Sequence, residues 1–128
     1  MKRAIKFRVW DNRFRKMYSD GISVQADGAF YLERPDHDGN GIEIAESEHG
    51  ELAIMQFTGL LDKNGKEIYE GDLLRYKTSP VYTVVFDSSA WKVAARSPDG
   101  VGFTLNLNER TNIFEIIGNI HENPELIK

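Results

Sequence analysis

Short runs in which apolar and polar residues alternate, each cut off by a turn signal, constrain this chain more than any other feature. Ile5, Phe7 and Val9 alternate with Lys6, Arg8 and Trp10, the period-two pattern of a strand with one buried face. Met17–Gln25 and Ala29–Glu33 flank Asp27-Gly28, and an Asp-Gly pair between such runs reads as a hairpin turn. Glu51–Thr58 reads as a strand leading into the second half, and Asn64-Gly65 as a further tight turn. Gly71-Asp72 then precedes Leu73–Tyr76. Tyr82–Phe86, Trp91–Ala95, Phe103–Leu107 and Ile113–Asn119 follow, parted by Ser79-Pro80 and Ser97-Pro98-Asp99-Gly100. Turn signals that recur about every 8–12 residues in the second half favour a small barrel or sandwich. The best helical candidate is Gly41–Met55, with Ile42, Ala45, His49 and Leu52 in step, but acids and Gly50 interrupt it. Glu125–Lys128, after Pro124, has room for one short turn. The expected class is therefore all-β.

A chain of 128 residues is one domain or two small lobes sharing a core. The absence of cysteine excludes disulfides, thiolate metal sites and cysteine nucleophiles. No apolar run reaches the ~18 residues of a membrane span, and no secretory pattern opens the chain, so a cytoplasmic location is expected. Charge is segregated. Residues 1–16 carry seven basic side chains and one acid, Asp11; residues 17–56 carry nine acids and one base, Arg34. One reading is that the two segments are neighbours and neutralise each other. The other is that the basic opening meets an anionic partner.

The stretch Met55-Gln56-Phe57-Thr58-Gly59-Leu60-Leu61-Asp62-Lys63-Asn64-Gly65-Lys66-Glu67-Ile68-Tyr69-Glu70-Gly71-Asp72 resembles the signature of the YopX family, small proteins of bacteriophages, prophages and conjugative elements. Ile5-Lys6-Phe7-Arg8-Val9-Trp10-Asp11 resembles its opening strand, and Ile116–Leu126 its closing block. The resemblance implies N-terminal antiparallel strands and hairpins followed by an SH3-like small barrel. The corresponding division is 1–56 and 57–128, or one continuous domain over 1–128. It implies no catalytic residue and no established activity. Ile42–Glu51 and the acidic Arg34–Gly41 loop depart from the pattern and read as variable inserts. Physically, Gly65 suits a two-residue turn, Asp72 can accept nearby backbone N–H groups, and Gly118 suggests a bulge or a close backbone approach. Phe57, Leu60, Ile68, Tyr69 and Leu73 are expected to cover one end of the barrel. On this reading the signature residues determine the fold and do not form a site.

Asp36-His37-Asp38-Gly39-Asn40-Gly41 matches the start of an EF-hand loop, with Asp36, Asp38 and Asn40 as oxygen ligands. Ser47 stands where a bidentate Glu belongs, and Glu43 where an apolar residue belongs. A polar turn explains the same composition, so these three are weak metal candidates and no cofactor is expected. His37, His49 and His121 have no ligand spacing. Ser88 and Ser89 lack a nucleophile elbow, and no phosphate-binding glycine loop occurs. No enzymatic activity and no small-molecule substrate is expected. For nucleic acid the candidate face is Lys6, Arg8 and Trp10, with Arg13, Arg15 and Lys16 after the turn, where cations meet phosphates and an aromatic stacks on a base; Trp10 is also suited to a core. The leading expectation is a non-enzymatic binding module that docks a protein, with Tyr76, Tyr82 and Trp91 as its aromatics. The alternatives are a nucleic-acid binder using the basic opening strand and a structural homo-oligomer built on edge strands.

Overall fold

The structure is a computed structural model that describes residues 4–36, 38–46, 51–87, 90–96, 102–108 and 113–127. Twelve strands appear in chain order: β1 (Phe7–Asp11), β2 (Lys16–Tyr18), β3 (Ile22–Val24), β4 (Phe30–Pro35), β5 (Ile42–Glu46), β6 (Leu52–Leu61), β7 (Glu67–Tyr69), β8 (Asp72–Arg75), β9 (Tyr82–Asp87), β10 (Ala90–Arg96), β11 (Gly102–Asn106) and β12 (Glu115–Asn119). A 3-10 turn, Pro124–Ile127, closes the described chain. The fold is all-β. Its sheets have the orders β2-β1-β6-β7, β3-β4-β5 and β11-β10-β9-β8-β12. Among the described residues, no helix is long and apolar enough to cross a membrane.

Two compact units divide the chain, one over residues 6–55 and one over 56–128 with the described start of the chain. In the first, Val9, Phe30, Leu32 and Leu52 form the buried core, with Tyr18, Ile22, Ala45 and Ile54 packed on it. β1 and β2 pair as a hairpin, Val9 opposite Tyr18 and Asp11 opposite Lys16. Where one strand was expected over Met17–Gln25, there are two. Gly21 lies between them with φ +74°, and a Cβ there would stand 2.8 Å from the Glu33 carbonyl oxygen. Only glycine allows that approach and that φ together. Asp27-Gly28 makes the expected turn, with the Gly28 N–H on the Gln25 carbonyl and the Ala29 N–H on Asp27 Oδ1. Gly41–Met55 holds β5 and the start of β6 instead of a helix. The period of two in Ile42, Glu43, Ile44 and Ala45 outweighs the interrupted helical one, because it lets Ala45 pack on the core while Ile42 and Ile44 face out.

A buried ion pair organises this unit. Asp11 has no exposed surface and Arg34 is almost as buried. Asp11 Oδ2 accepts from Arg34 Nη1, while Oδ1 accepts the N–H groups of Arg13 (3.0 Å) and Phe14 (3.3 Å). Arg34 Nε donates to Glu43 Oε1 at 2.8 Å, and its guanidinium lies 5.0 Å from the Phe14 ring centroid. One arginine thus ties β4 to β5 and to the β1–β2 turn. Burial works against the Arg34 charge, but Glu43 and Asp11 more than offset it and hold its pKa above the ordinary value. Burial, then the Asp11 charge, pushes the nearby Tyr18 hydroxyl up.

In the second unit β8, β9, β10 and β11 form a meander, and β12 returns to pair with β8. The sheet is thereby curled into a half-barrel. Its core is Ile68, Leu74, Val84, Val93 and Leu107, with Leu60, Tyr82, Trp91, Phe114 and Ile116 against it. Ile68 and Leu73 are fully buried, and the Phe57 and Tyr69 rings lie 5.6 Å apart. The β12–β8 register slips between Ile116 and Gly118, which is the bulge expected at Gly118. The nearest atoms to Gly118 belong to a side chain and not to another backbone: a Cβ there would meet Asn123 Oδ1 and stand 2.6 Å from its Cγ. The Ser97–Gly100 turn and Ser88-Ser89 lie outside the described residues.

Asp62 does for this unit what Asp11 does for the other. Buried after β6, its carboxylate accepts the N–H groups of Asn64 (2.8 Å), Lys66 (2.9 Å) and, on β12, Ile116 (3.1 Å). Burial alone would raise its pKa. The three N–H donors, helped by the Lys66 charge, outweigh that and hold it below the ordinary 3.8.

Two expectations follow from these carboxylates. Removing the Arg34 charge strands Asp11 in the interior, so Arg34→Ala should cost about 3–5 kcal/mol. Urea melts of Arg34→Met, Asp11→Asn and their combination should show the double variant losing less than the two single losses added together. Asp62→Asn replaces one accepting carboxylate oxygen by an NH2 that cannot accept, leaving at least one of the three N–H donors unmatched, and should cost about 1–3 kcal/mol at neutral pH. Because the folded pKa is depressed, the Asp62 contribution is complete above pH 3.8 and fades as pH falls below it through the folded value. Melts at descending pH should therefore show the gap between the native protein and Asp62→Asn narrowing below that point.

Candidate functional site

The curled sheet of the second unit carries an aromatic and aliphatic surface that its core does not absorb. On β9, Tyr82, Val84 and Phe86 share one face by alternation. On β10, Trp91 lies opposite Phe86 and Val93 opposite Val84; on β11, Leu105 lies opposite Val93. The Leu107 N–H reaches the Trp91 carbonyl at 3.0 Å, which puts Leu107 in the Phe86–Trp91 row. Val84, Val93 and Leu107 are buried in these rows. Phe86 and Leu105, in the same rows on the same face, are 55% and 50% exposed. Phe86 meets Trp91 edge to face with centroids 5.0 Å apart, a favoured geometry for aromatic pairs.

A second aromatic group adjoins the other end of β9. Phe114 packs edge-on against Tyr82 at 5.4 Å and against Tyr76 at 6.4 Å. Tyr76 is partly exposed and has the Lys77 ammonium 5.3 Å from its ring centroid. The chain turns at Lys77, with φ +53°, and the Tyr76 N–H donates to Ser79 Oγ. Of the three aromatics picked out from sequence, Tyr76 and Tyr82 therefore share Phe114, and Trp91 pairs with Phe86. Phe86 and Leu105 were not anticipated as surface residues, nor Phe114 as the ring that the two tyrosines share. The signal for Phe86 and Leu105 was the period of two itself, which aligns them with core residues; what it lacks is where the core stops.

Burial differs along the expected nucleic-acid face. Lys6 precedes β1 and is exposed, Arg8 is half-buried, and Trp10 is only 4% exposed. Trp10 is a packing residue, with the Arg15 guanidinium 5.2 Å from its ring centroid, so it offers no stacking platform for a base. Arg13 is exposed on the turn after β1, its guanidinium 5.3 Å from the Phe14 centroid. These four residues do not make one open basic and aromatic surface.

The Asp36 loop is a hairpin turn. The Asp36 N–H donates to the Gly41 carbonyl and the Gly39 N–H to the Asp36 carbonyl, both at 3.0 Å. Asp36 Oδ1 accepts the Asn40 N–H at 3.2 Å. Among the described residues no three His, Asp or Glu side chains are gathered where a metal ion could sit. His37 and His49 lie outside the described residues. His121 is half-buried, and its backbone N–H donates to Asn119 Oδ1.

Comparison with known proteins agrees with this architecture. Residues 6–128 match the family described as YopX protein. The fold is similar to the crystal structure of protein EF1440 from Enterococcus faecalis, at 27% identity over 99% of this chain and 100% of that one, with a TM-score of 0.62. It is also similar to protein yopX from Bacillus subtilis, at 25% identity over 96% of this chain and 98% of that one, with a TM-score of 0.64. No curated protein matches the chain.

Proposed function

The chain belongs to the YopX family, and from that premise we propose that it is a non-enzymatic module that captures a partner protein on the aromatic face of its curled C-terminal sheet. It acts in the cytoplasm of a bacterial host as an accessory of a phage or other mobile element. The observation that carries this reading is the half-exposure of Phe86 and Leu105 in the same rows as the buried Val84 and Val93. An apolar surface continuous with a core, and rigid because it is built on paired strands, is what an extended peptide needs to dock. Trp91 beside Phe86, and Tyr76 beside Phe114, supply the large, stiff contacts that dominate binding energy in interfaces. The non-enzymatic part rests on how the buried polar groups are used: Asp11, Asp62, Asp72 and Asn119 all accept main-chain N–H groups at turns.

Peptides selected from a random display library give the test. Binders should be enriched in apolar residues, and Phe86→Ser with Leu105→Ser should weaken them by about tenfold or more. Both side chains are half-exposed, so the melting temperature should move little. A library that yields no binder, or binders indifferent to the double change, would overturn the reading.

One observation favours a second reading. Arg13, Arg15 and Lys16 are all exposed in the β1–β2 turn region, a local cation cluster of the kind that meets phosphates. Anisotropy of labelled DNA and RNA at rising salt distinguishes the two. Nucleic-acid binding predicts affinity that falls steeply with salt and is lost in Arg13→Ser/Lys16→Ser; protein capture predicts neither.

A further inference from the structure

β5 is the open edge of the sheet β3-β4-β5: among the described residues no strand pairs with its far side. Its hydrogen-bond phase follows from the hairpin that begins it. The Asp36 N–H donates to the Gly41 carbonyl, so Asp36 and Gly41 form a hydrogen-bonded pair. In an antiparallel ladder such pairs alternate. Arg34–Glu43 and Leu32–Ala45 are then hydrogen-bonded, while Pro35–Ile42, Glu33–Ile44 and Tyr31–Glu46 are not. Pro35, which has no N–H, falls in a pair that needs none, and the Glu33 N–H indeed turns to the other side, to Gly21. Hence the N–H and C=O groups of Ile42, Ile44 and Glu46 point to the open edge. The side chains of the same three residues stand on the outer face, where Ile42 is 75% and Ile44 65% exposed.

Proteins ordinarily blunt such an edge with lysine, proline or a bulge, since it templates further pairing. This one carries two exposed isoleucines instead, and among the described residues of this sheet face and its adjoining turn the charged side chains are all acidic. Glu33 and Glu46 share the outer face with them, and Asp36 and Asp38 lie in the adjoining turn. Arg34, the one base in residues 17–56, points inward and is held by Asp11 and Glu43. An added strand would meet aliphatic side chains beside carboxylates. Pairing of β5 with β5 of a second copy would instead bring these acids together, at an electrostatic cost.

We propose that β5 receives, by strand addition, an extended segment of a partner protein whose outward-facing side chains, every second residue, include both aliphatic and basic ones. The main chain of Ile42, Ile44 and Glu46 provides the hydrogen bonds; on the shared outer face the two isoleucines meet the aliphatic residues, Glu46 meets a basic one, and Glu33, one strand further in, adds to the negative field. The site is on the N-terminal unit and is independent of the aromatic face of the other.

The probe is a fluorescein-labelled eight-residue peptide with lysine or valine at every second position and threonine between, so that one face carries both, measured by anisotropy with the full chain. It should bind saturably, and a peptide of the same composition with its lysines and valines in two blocks should bind about tenfold more weakly. Ile44→Pro removes an N–H that faces the open edge and not the ladder, so it should abolish binding with the circular dichroism spectrum unchanged. Glu33→Lys with Glu46→Lys should weaken binding about tenfold or more and reports independently should the proline variant fail to fold. Equal binding of the block peptide, binding that survives Ile44→Pro in a folded protein, or no binding of the alternating peptide would each overturn the proposal. So would a concentration-dependent dimer in sedimentation that Ile44→Lys dissolves, because the edge would then belong to a second copy.

Discussion

A chain of short strands has many turns, and every turn leaves main-chain N–H groups that the ladders do not take. Here buried side chains take them. Asp11 accepts two such groups after β1, Asp62 three after β6, Asp72 the Tyr69 N–H before β8, and Asn119 those of His121 and Glu122 after β12. A buried polar group is costly when unmatched and specific when matched. Each of these residues therefore fixes where one strand stops and at what angle the chain leaves it. The hydrophobic clusters of the two units can close only once those ends are set.

Seen this way, the segregation of charge along the chain has a structural resolution. The lone acid of the basic opening, Asp11, and the lone base of the acidic middle, Arg34, find each other in the interior of the first unit. What each segment keeps at the surface is its majority sign. Phe14 sits between the two worlds, with Arg13 and Arg34 both within about 5 Å of its centroid. The interior pair neutralises itself, and the outer face of the β3-β4-β5 sheet is left with carboxylates beside isoleucines.

Strand content was legible because period two is a local property. Asp27-Gly28, Asn64-Gly65 and Gly118 also disclosed their roles, since a positive φ or a close approach admits few residue types. Gly21 did not, because the clash that requires it is with Glu33, a partner that only the fold supplies. Trp10 was ambiguous for a similar reason: alternation assigns it a side of β1, and burial along that side changes from Lys6 to Trp10. Phe86 and Leu105 were hidden by their regularity. They continue the pattern of Val84 and Val93, and no local pattern marks the point at which a curled sheet stops covering its own face.

The return of β12 to β8 also orders events in time. During synthesis β3, β4 and β5 are available to pair as soon as residue 46 has emerged, whereas the partner of Asp72–Arg75 is Glu115–Asn119. At a rate of about 5–20 residues per second, the intervening forty or so residues take roughly 2–8 s to make. For that interval one side of β8 is an unclaimed edge on a nascent chain. The register slip at Gly118 then acquires a kinetic meaning: a strand that arrives late, with a bulge that fits only one alignment, is harder to replace by a wrong one.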